Sequence, residues 1–170
     1  FLGAEGTEYA EELEAALRLM KQAKNLGSVM KLNLSQEARM VIEKRFAELE
    51  HTEYRDFNIE AIYQNLKTYI PVLFILTKKY TAVVANPPYM GRANMNGPLK
   101  QYIDKYFPNT NSDLCTVFIQ VLPNLTLRHG KYGFIVTPTW MFTSSFEKLR
   151  VEIINNQKID SLLQLSRGVF

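Results

Sequence analysis

The sequence predicts an α/β fold in which a mainly helical region, residues 1–80, precedes a mostly parallel sheet with flanking helices, residues 81–170. Helical apolar spacing recurs through the first 80 residues. At Thr81 the pattern changes to short apolar, β-branched runs, and strand, helix, strand, helix, strand then follow in turn. Of the 170 residues, 46% are hydrophobic and 22% charged, which excludes a disordered chain and a fibrous repeat.

In residues 7–26, Ala10, Leu13, Leu17 and Met20 recur at helical spacing, and Gly27 offers a positive-φ stop. Ser35 is placed to cap a second helix with Ala38, Val41, Ile42, Phe46 and Leu49 inward, and Glu37, Arg39, Glu43, Lys44 and Glu48 on a solvated face. Asn58 opens a third pattern through Ile62, Leu66 and Tyr69, after which Pro71 either kinks that helix or starts another in its first turn. Residues 81–85 read as a central strand covered on both faces. Helices are expected at residues 99–106, 113–121 and 145–154, with Pro123 opposing continuation of the second. Further strands are expected at residues 131–137 and 159–165. Right-handed crossovers would then bring Asn86-Pro87-Pro88-Tyr89, Pro138-Thr139-Trp140 and Arg167-Gly168-Val169-Phe170 to the rim beyond the strands' carboxyl ends.

Composition narrows function only slightly. A net charge of +3 is compatible with a nucleic-acid partner without arguing for one. The single cysteine, Cys115, excludes an internal disulfide framework and reads as a small core residue. The longest apolar stretch, residues 70–76, is far short of the roughly 20 residues of a bilayer span, so no membrane partner is expected. The N-terminus lacks the features of a signal peptide and reads as a cut end. No metal site is expected.

Chemistry concentrates in the tetrapeptide Asn86-Pro87-Pro88-Tyr89. Two prolines stiffen the backbone just past a strand, so Asn86 and Tyr89 stand in a set relation; a plain strand-ending turn is the alternative. An exocyclic amine conjugated to an aromatic ring is a poor nucleophile. The Asn86 side-chain oxygen and the Pro87 carbonyl can accept its two N–H bonds and draw the nitrogen towards tetrahedral geometry, freeing its lone pair for a methyl donor. Tyr89 would stack on the base, which must first leave the duplex.

The tetrapeptide resembles motif IV of N6-adenine DNA methyltransferases. Its surroundings resemble the gamma-type enzymes in particular, through Met90-Gly91, Ser112-Asp113-Leu114, residues 130–138, Trp140-Met141-Phe142 and residues 144–150. They look like the methyltransferases of BREX phage-defence systems and the single-chain type IIG restriction-modification enzymes. The resemblance is strong over residues 81–170 and looser over residues 8–31.

It implies a partial Rossmann-like methyltransferase sheet, with residues 1–80 within or inserted into the domain and residues 81–170 forming its catalytic half from motif IV to motif VIII. S-adenosylmethionine is the implied donor, double-stranded DNA the implied partner beside other defence-system subunits, and the bacterial cytoplasm the implied location. The resemblance further implies that Phe170 matches the motif VIII aromatic at the flipped base. Trp140 lines the base or DNA groove, or packs in the core. Arg92, Lys100 and Lys105, on the long connection after the tetrapeptide, are weak candidates for phosphate contacts.

The family's Gly-rich donor turn and its acidic ribose ligand are not found; Gly3 and Gly6 precede an amphipathic helix rather than follow a strand. The donor site is expected upstream, with Asn86 at its border, and the chain by itself is expected to be inactive and to expose apolar sheet edge. Rival readings are methylation of a protein glutamine or an RNA base, and a silent methyltransferase-like scaffold. A cytosine-C5 mechanism is disfavoured, because Cys115 sits in a helical pattern rather than on a Pro-Cys loop.

Overall fold

A computed structural model describes residues 2–52 and 56–164. The chain divides into two compact units, Phe1–Tyr80 and Thr81–Phe170.

In the first unit, a 3-10 turn at Ala4–Tyr9 leads into α1 (Ala10–Met20) and the short α2 (Ala23–Leu26). The expected helix is thus interrupted at Lys21 and Gln22, where bonding tightens to Gln22 N donating to Leu19 O at 2.9 Å. Gly27 follows at φ 56°, a backbone state that other residues rarely adopt. The Ser35 hydroxyl caps α3 (Gln36–Glu50) by accepting from Ala38 N at 3.1 Å. Asp56, rather than Asn58, caps α4 (Phe57–Leu66), and Tyr63 is its buried residue whereas Ile62 is 40% exposed.

Pro71 starts a new helix: in α5 (Tyr69–Thr77) it occupies the first turn, where the N–H it lacks would have had no partner. Leu13, Ala16 and Met20 of α1 meet Ile42 of α3 and Ile70 and Leu73 of α5 in one apolar core. Arg39, expected on the solvated face of α3, instead reaches the end of α5. It donates to Phe74 O at 2.9 Å, and its guanidinium lies 4.7 Å from the Phe74 ring centre. Phe74 O also accepts from Lys78 N at 3.1 Å, and the negative end of the helix dipole suits a cation there.

The second unit is organised around β1 (Tyr80–Ala85), whose first residue lies at the unit boundary, and β2 (Thr126–Phe134), paired in a two-stranded parallel sheet. Between them come α6 (Gly97–Tyr106), capped by Asn96 with Pro98 in its first turn, and α7 (Leu114–Leu125), capped by Asp113. Pro123 does not end α7 early. It lacks the N–H that would reach Ile119 O, yet the helix runs on to Leu125, and in its last turn Asn124 Nδ2 donates to Gln120 O at 2.9 Å and Thr126 Oγ1 to Leu122 O at 2.8 Å. After β2 come α8 (Thr139–Phe142), a 3-10 turn at Ser144–Phe146 and α9 (Glu147–Asn156).

Three strand expectations are corrected. Within this chain β1 is not covered on both faces: Val84 is 87% exposed. The second strand begins at Thr126, five residues before the expected 131, and ends at Phe134. Residues 159–164 form no strand, and residue 165 lies outside the described residues. That segment is tied near β2 by Lys131 to Asp160, and just before it Gln157 accepts from the Tyr132 hydroxyl, while Leu162 and Leu163 remain exposed. A β-rich run becomes a strand only with a ladder partner.

Trp140, Phe146, Leu149 and Ile153 pack on Ile119 of α7 as a second core. Truncating a buried anchor of either core, Leu73→Ala or Trp140→Ala, is expected to cost about 2–5 kcal/mol in chemical denaturation. Val84→Thr is expected to stay within about 0.5 kcal/mol.

Candidate active site

Asn86-Pro87-Pro88-Tyr89 leaves the carboxyl end of β1. Ala85 O accepts the last bond of the sheet from Ile135 N at 3.3 Å. In a parallel ladder the next donor would be the N–H of residue 87, and Pro87 has none, so pairing stops there. Pro87 is buried, while Asn86, Pro88 and Tyr89 are exposed, Tyr89 to 51%.

Beyond Tyr89 the chain is caught again. Leu114 N donates to Met90 O and Arg92 N to Ser112 O, both at 2.9 Å, around an antiparallel bridge between Gly91 and Asp113. Asp113 also accepts from Cys115 N at 2.9 Å through Oδ1 and from the buried Thr116 hydroxyl at 2.7 Å through its carbonyl. The tetrapeptide therefore bridges two hydrogen-bonded anchors. The Asp113 anchor carried no assigned role in the sequence reading, although an Asp directly before an apolar helical run is a recognisable cap signal.

The other expected site residues fall elsewhere. Trp140 takes the core alternative: it is 9% exposed, because its large apolar body fills the space between α7 and α9. Its carbonyl and that of Thr143 accept from Arg150 Nη1 at 2.9 and 2.7 Å, which fastens α8. Arg92 is engaged by Asp104 through both guanidinium nitrogens, Nη2 to Oδ2 at 2.6 Å, and Asn111 Nδ2 donates to Asp104 Oδ1 at 2.8 Å. Asp104 holds the Arg92 guanidinium above its usual range; Arg92 first, then Asn111, holds the Asp104 carboxyl below the usual carboxylate range.

Lys100 Nζ lies 3.4 Å from Ala93 O, and Lys105 Nζ lies 5.0 Å from the Tyr106 ring centre. Phe170, with Arg167, Gly168 and Val169, lies outside the described residues.

Cys115 is fully buried in α7, its sulfur 3.7 Å from Thr137 Oγ1, and burial pushes its thiol up. It is expected to resist a thiol reagent at neutral pH in the folded protein and to react stoichiometrically after denaturation. Rapid labelling of the native chain would contradict that placement.

Residues 8–170 match the Eco57I restriction-modification methylase family. The chain is 36% identical over 163 residues to the adenine-specific methyltransferase BrxX of Escherichia coli O9:H4 (strain HS), a match covering 93% of the chain and 13% of that protein. It is 38% identical over 105 residues to the adenine-specific methyltransferase PglX of Lacticaseibacillus casei (strain Zhang), covering 62% of the chain and 9% of that protein. The chain thus spans only a small part of the curated relatives it matches. It belongs to the Eco57I restriction-modification methylase family.

Proposed function

We propose that this chain is the adenine-gripping part of a site-specific DNA methyltransferase that transfers a methyl group from S-adenosylmethionine to N6 of a flipped adenine, in restriction-modification or phage defence. One observation carries the reading: Asn86 and Tyr89 are both exposed on either side of a buried Pro87, between two fixed anchors. Family membership and the names of the two relatives support it.

On this reading Asn86 Oδ1 and the Pro87 carbonyl would accept the two N6 hydrogens and release the lone pair from the ring for the methyl carbon; the donor's sulfur–methyl bond would break, leaving the thioether S-adenosylhomocysteine, and one N6 proton would pass to water. Tyr89 stacks on the flipped adenine, which offsets part of the roughly few kcal/mol needed to unstack it. Rigid backbone matters here, because fixed acceptors need no reorganisation as charge develops on nitrogen.

The donor is not placed by these residues. Gly3 and Gly6 lie before and within a 3-10 turn that runs into α1. The donor half is read as belonging to another part of a longer protein, with Asn86 at its border.

β1 and β2 are read as neighbours in a partial Rossmann-like sheet, with residues 81–170 as the catalytic half and residues 1–80 as a helical region of the same domain. Lys100 and Lys105 are the cations proposed to meet phosphates. Arg92, already paired, is read as holding the connection together. Phe170 is retained as the aromatic on the base's other side.

The test is a full-length protein carrying this chain, given duplex DNA and S-adenosylmethionine, with N6-methyladenine quantified by mass spectrometry. Asn86→Ala is expected to lower kcat by about a hundredfold or more. Tyr89→Ala is expected to lose about 1–3 kcal/mol of base stacking, most of it restored by Tyr89→Phe. Methyladenine at an unchanged rate in Asn86→Ala would contradict the proposed role, and methylation of glutamine or RNA in place of DNA would contradict the substrate.

A further inference from the structure

The prolines that stiffen the tetrapeptide remove two of its four backbone N–H donors, so its pose leans on anchors at either end. Upstream that is the sheet. Downstream, contacts around residue 113 connect the stretch after Tyr89 to α7. Leu114 N and Ser112 O bond Met90 and Arg92, and Asp113 lies across from Gly91. A side chain built on Gly91 would meet the Asp113 carboxylate at 3.9 Å, which places that carboxylate over the backbone two residues past Tyr89.

The same carboxylate caps α7 on Cys115 N, and the Asp113 carbonyl takes the Thr116 hydroxyl, whose oxygen lies 2.8 Å from Thr110 O. Thr110 and Thr116 are both fully buried. The contacts run from the buried first turn of α7, which Asp113 caps, through the backbones of Leu114 and Ser112 to Met90 and Arg92.

We infer that Asp113 is a positioning residue for the adenine site: by capping α7 it holds the turn whose Ser112 and Leu114 backbones bond Arg92 and Met90, and so sets the height and tilt of the Tyr89 ring against the base. The inference rests on the reading of the site given under Proposed function. Asp113 itself does not touch the substrate, and its acceptor role does not require chemistry of its own. Asparagine, as good a helix cap, should therefore serve nearly as well.

In the full-length protein with saturating donor, Asp113→Ala is expected to lower kcat by about tenfold or more, a size typical of small misplacements in a site, with little change in the KM for S-adenosylmethionine. Duplex DNA with 2-aminopurine at the target position should fluoresce more strongly with Asp113→Ala than with the unmodified protein, because a flipped base that is poorly stacked on Tyr89 loses its quencher. Asp113→Asn should restore kcat to within about threefold and restore the quenching. If Asp113→Ala does not fold, Asp113→Ser, which keeps a shorter cap, carries the same two readouts.

A lower melting temperature with unchanged kcat and unchanged 2-aminopurine signal would reduce Asp113 to a helix cap and overturn the inference alone. An unmodified protein that neither flips nor methylates adenine would overturn the underlying reading, and the inference with it.

Discussion

The absence of an N–H on Pro87 is the constraint around which the second unit is arranged. It ends the sheet ladder at the bond from Ile135 to Ala85, so the backbone that follows is free of the sheet where Asn86 and Tyr89 are exposed. Freed backbone would ordinarily wander. Here two prolines restrict it, the burial of Pro87 holds its middle, and the Gly91–Asp113 bridge catches it four residues later. The exposed side chains at either end owe their fixed relation to that sequence of release and recapture.

The order of elements serves the same end. The connection from β1 to β2 runs through α6 and α7, and α7 is buried along most of its length, from Leu114 to Leu122. A helix so embedded is a firm support for the bridge at its first turn. Beyond β2, Trp140 anchors α8 in the core and Arg150 ties its carbonyls, so the second rim segment is also held. The helical unit keeps its own core, beside which Arg39 donates to Phe74 O near the end of α5 while its guanidinium lies over the Phe74 ring.

Much of this was legible in the sequence. The caps at Ser35 and the positive φ at Gly27 follow from local chemistry that tertiary context had no reason to override. The start of a new helix around Pro71 follows from proline's missing donor. The strands were harder. Their apolar runs show β preference but not register or coverage, which depend on partners elsewhere in the chain; hence the early start of β2 at Thr126 and the unpaired run at residues 159–164. The tetrapeptide is visible as a motif, and the chemistry proposed for it rests on its residue types. What could not be seen was how it is held, since the Gly91–Asp113 bridge joins residues 22 positions apart. Trp140 shows the limit of spelling alone: an aromatic after a strand fits a groove or a core equally well until its neighbours are known.

If Asn86 and the Pro87 carbonyl receive the adenine amine, a crystal structure of the full-length protein with duplex DNA containing its target adenine will show it. The expected result is a flipped adenine stacked on Tyr89, with N6 within about 2.7–3.2 Å of both Asn86 Oδ1 and Pro87 O. An adenine still stacked in the duplex in a productive complex, or an N6 held by groups outside residues 86–89, would contradict it.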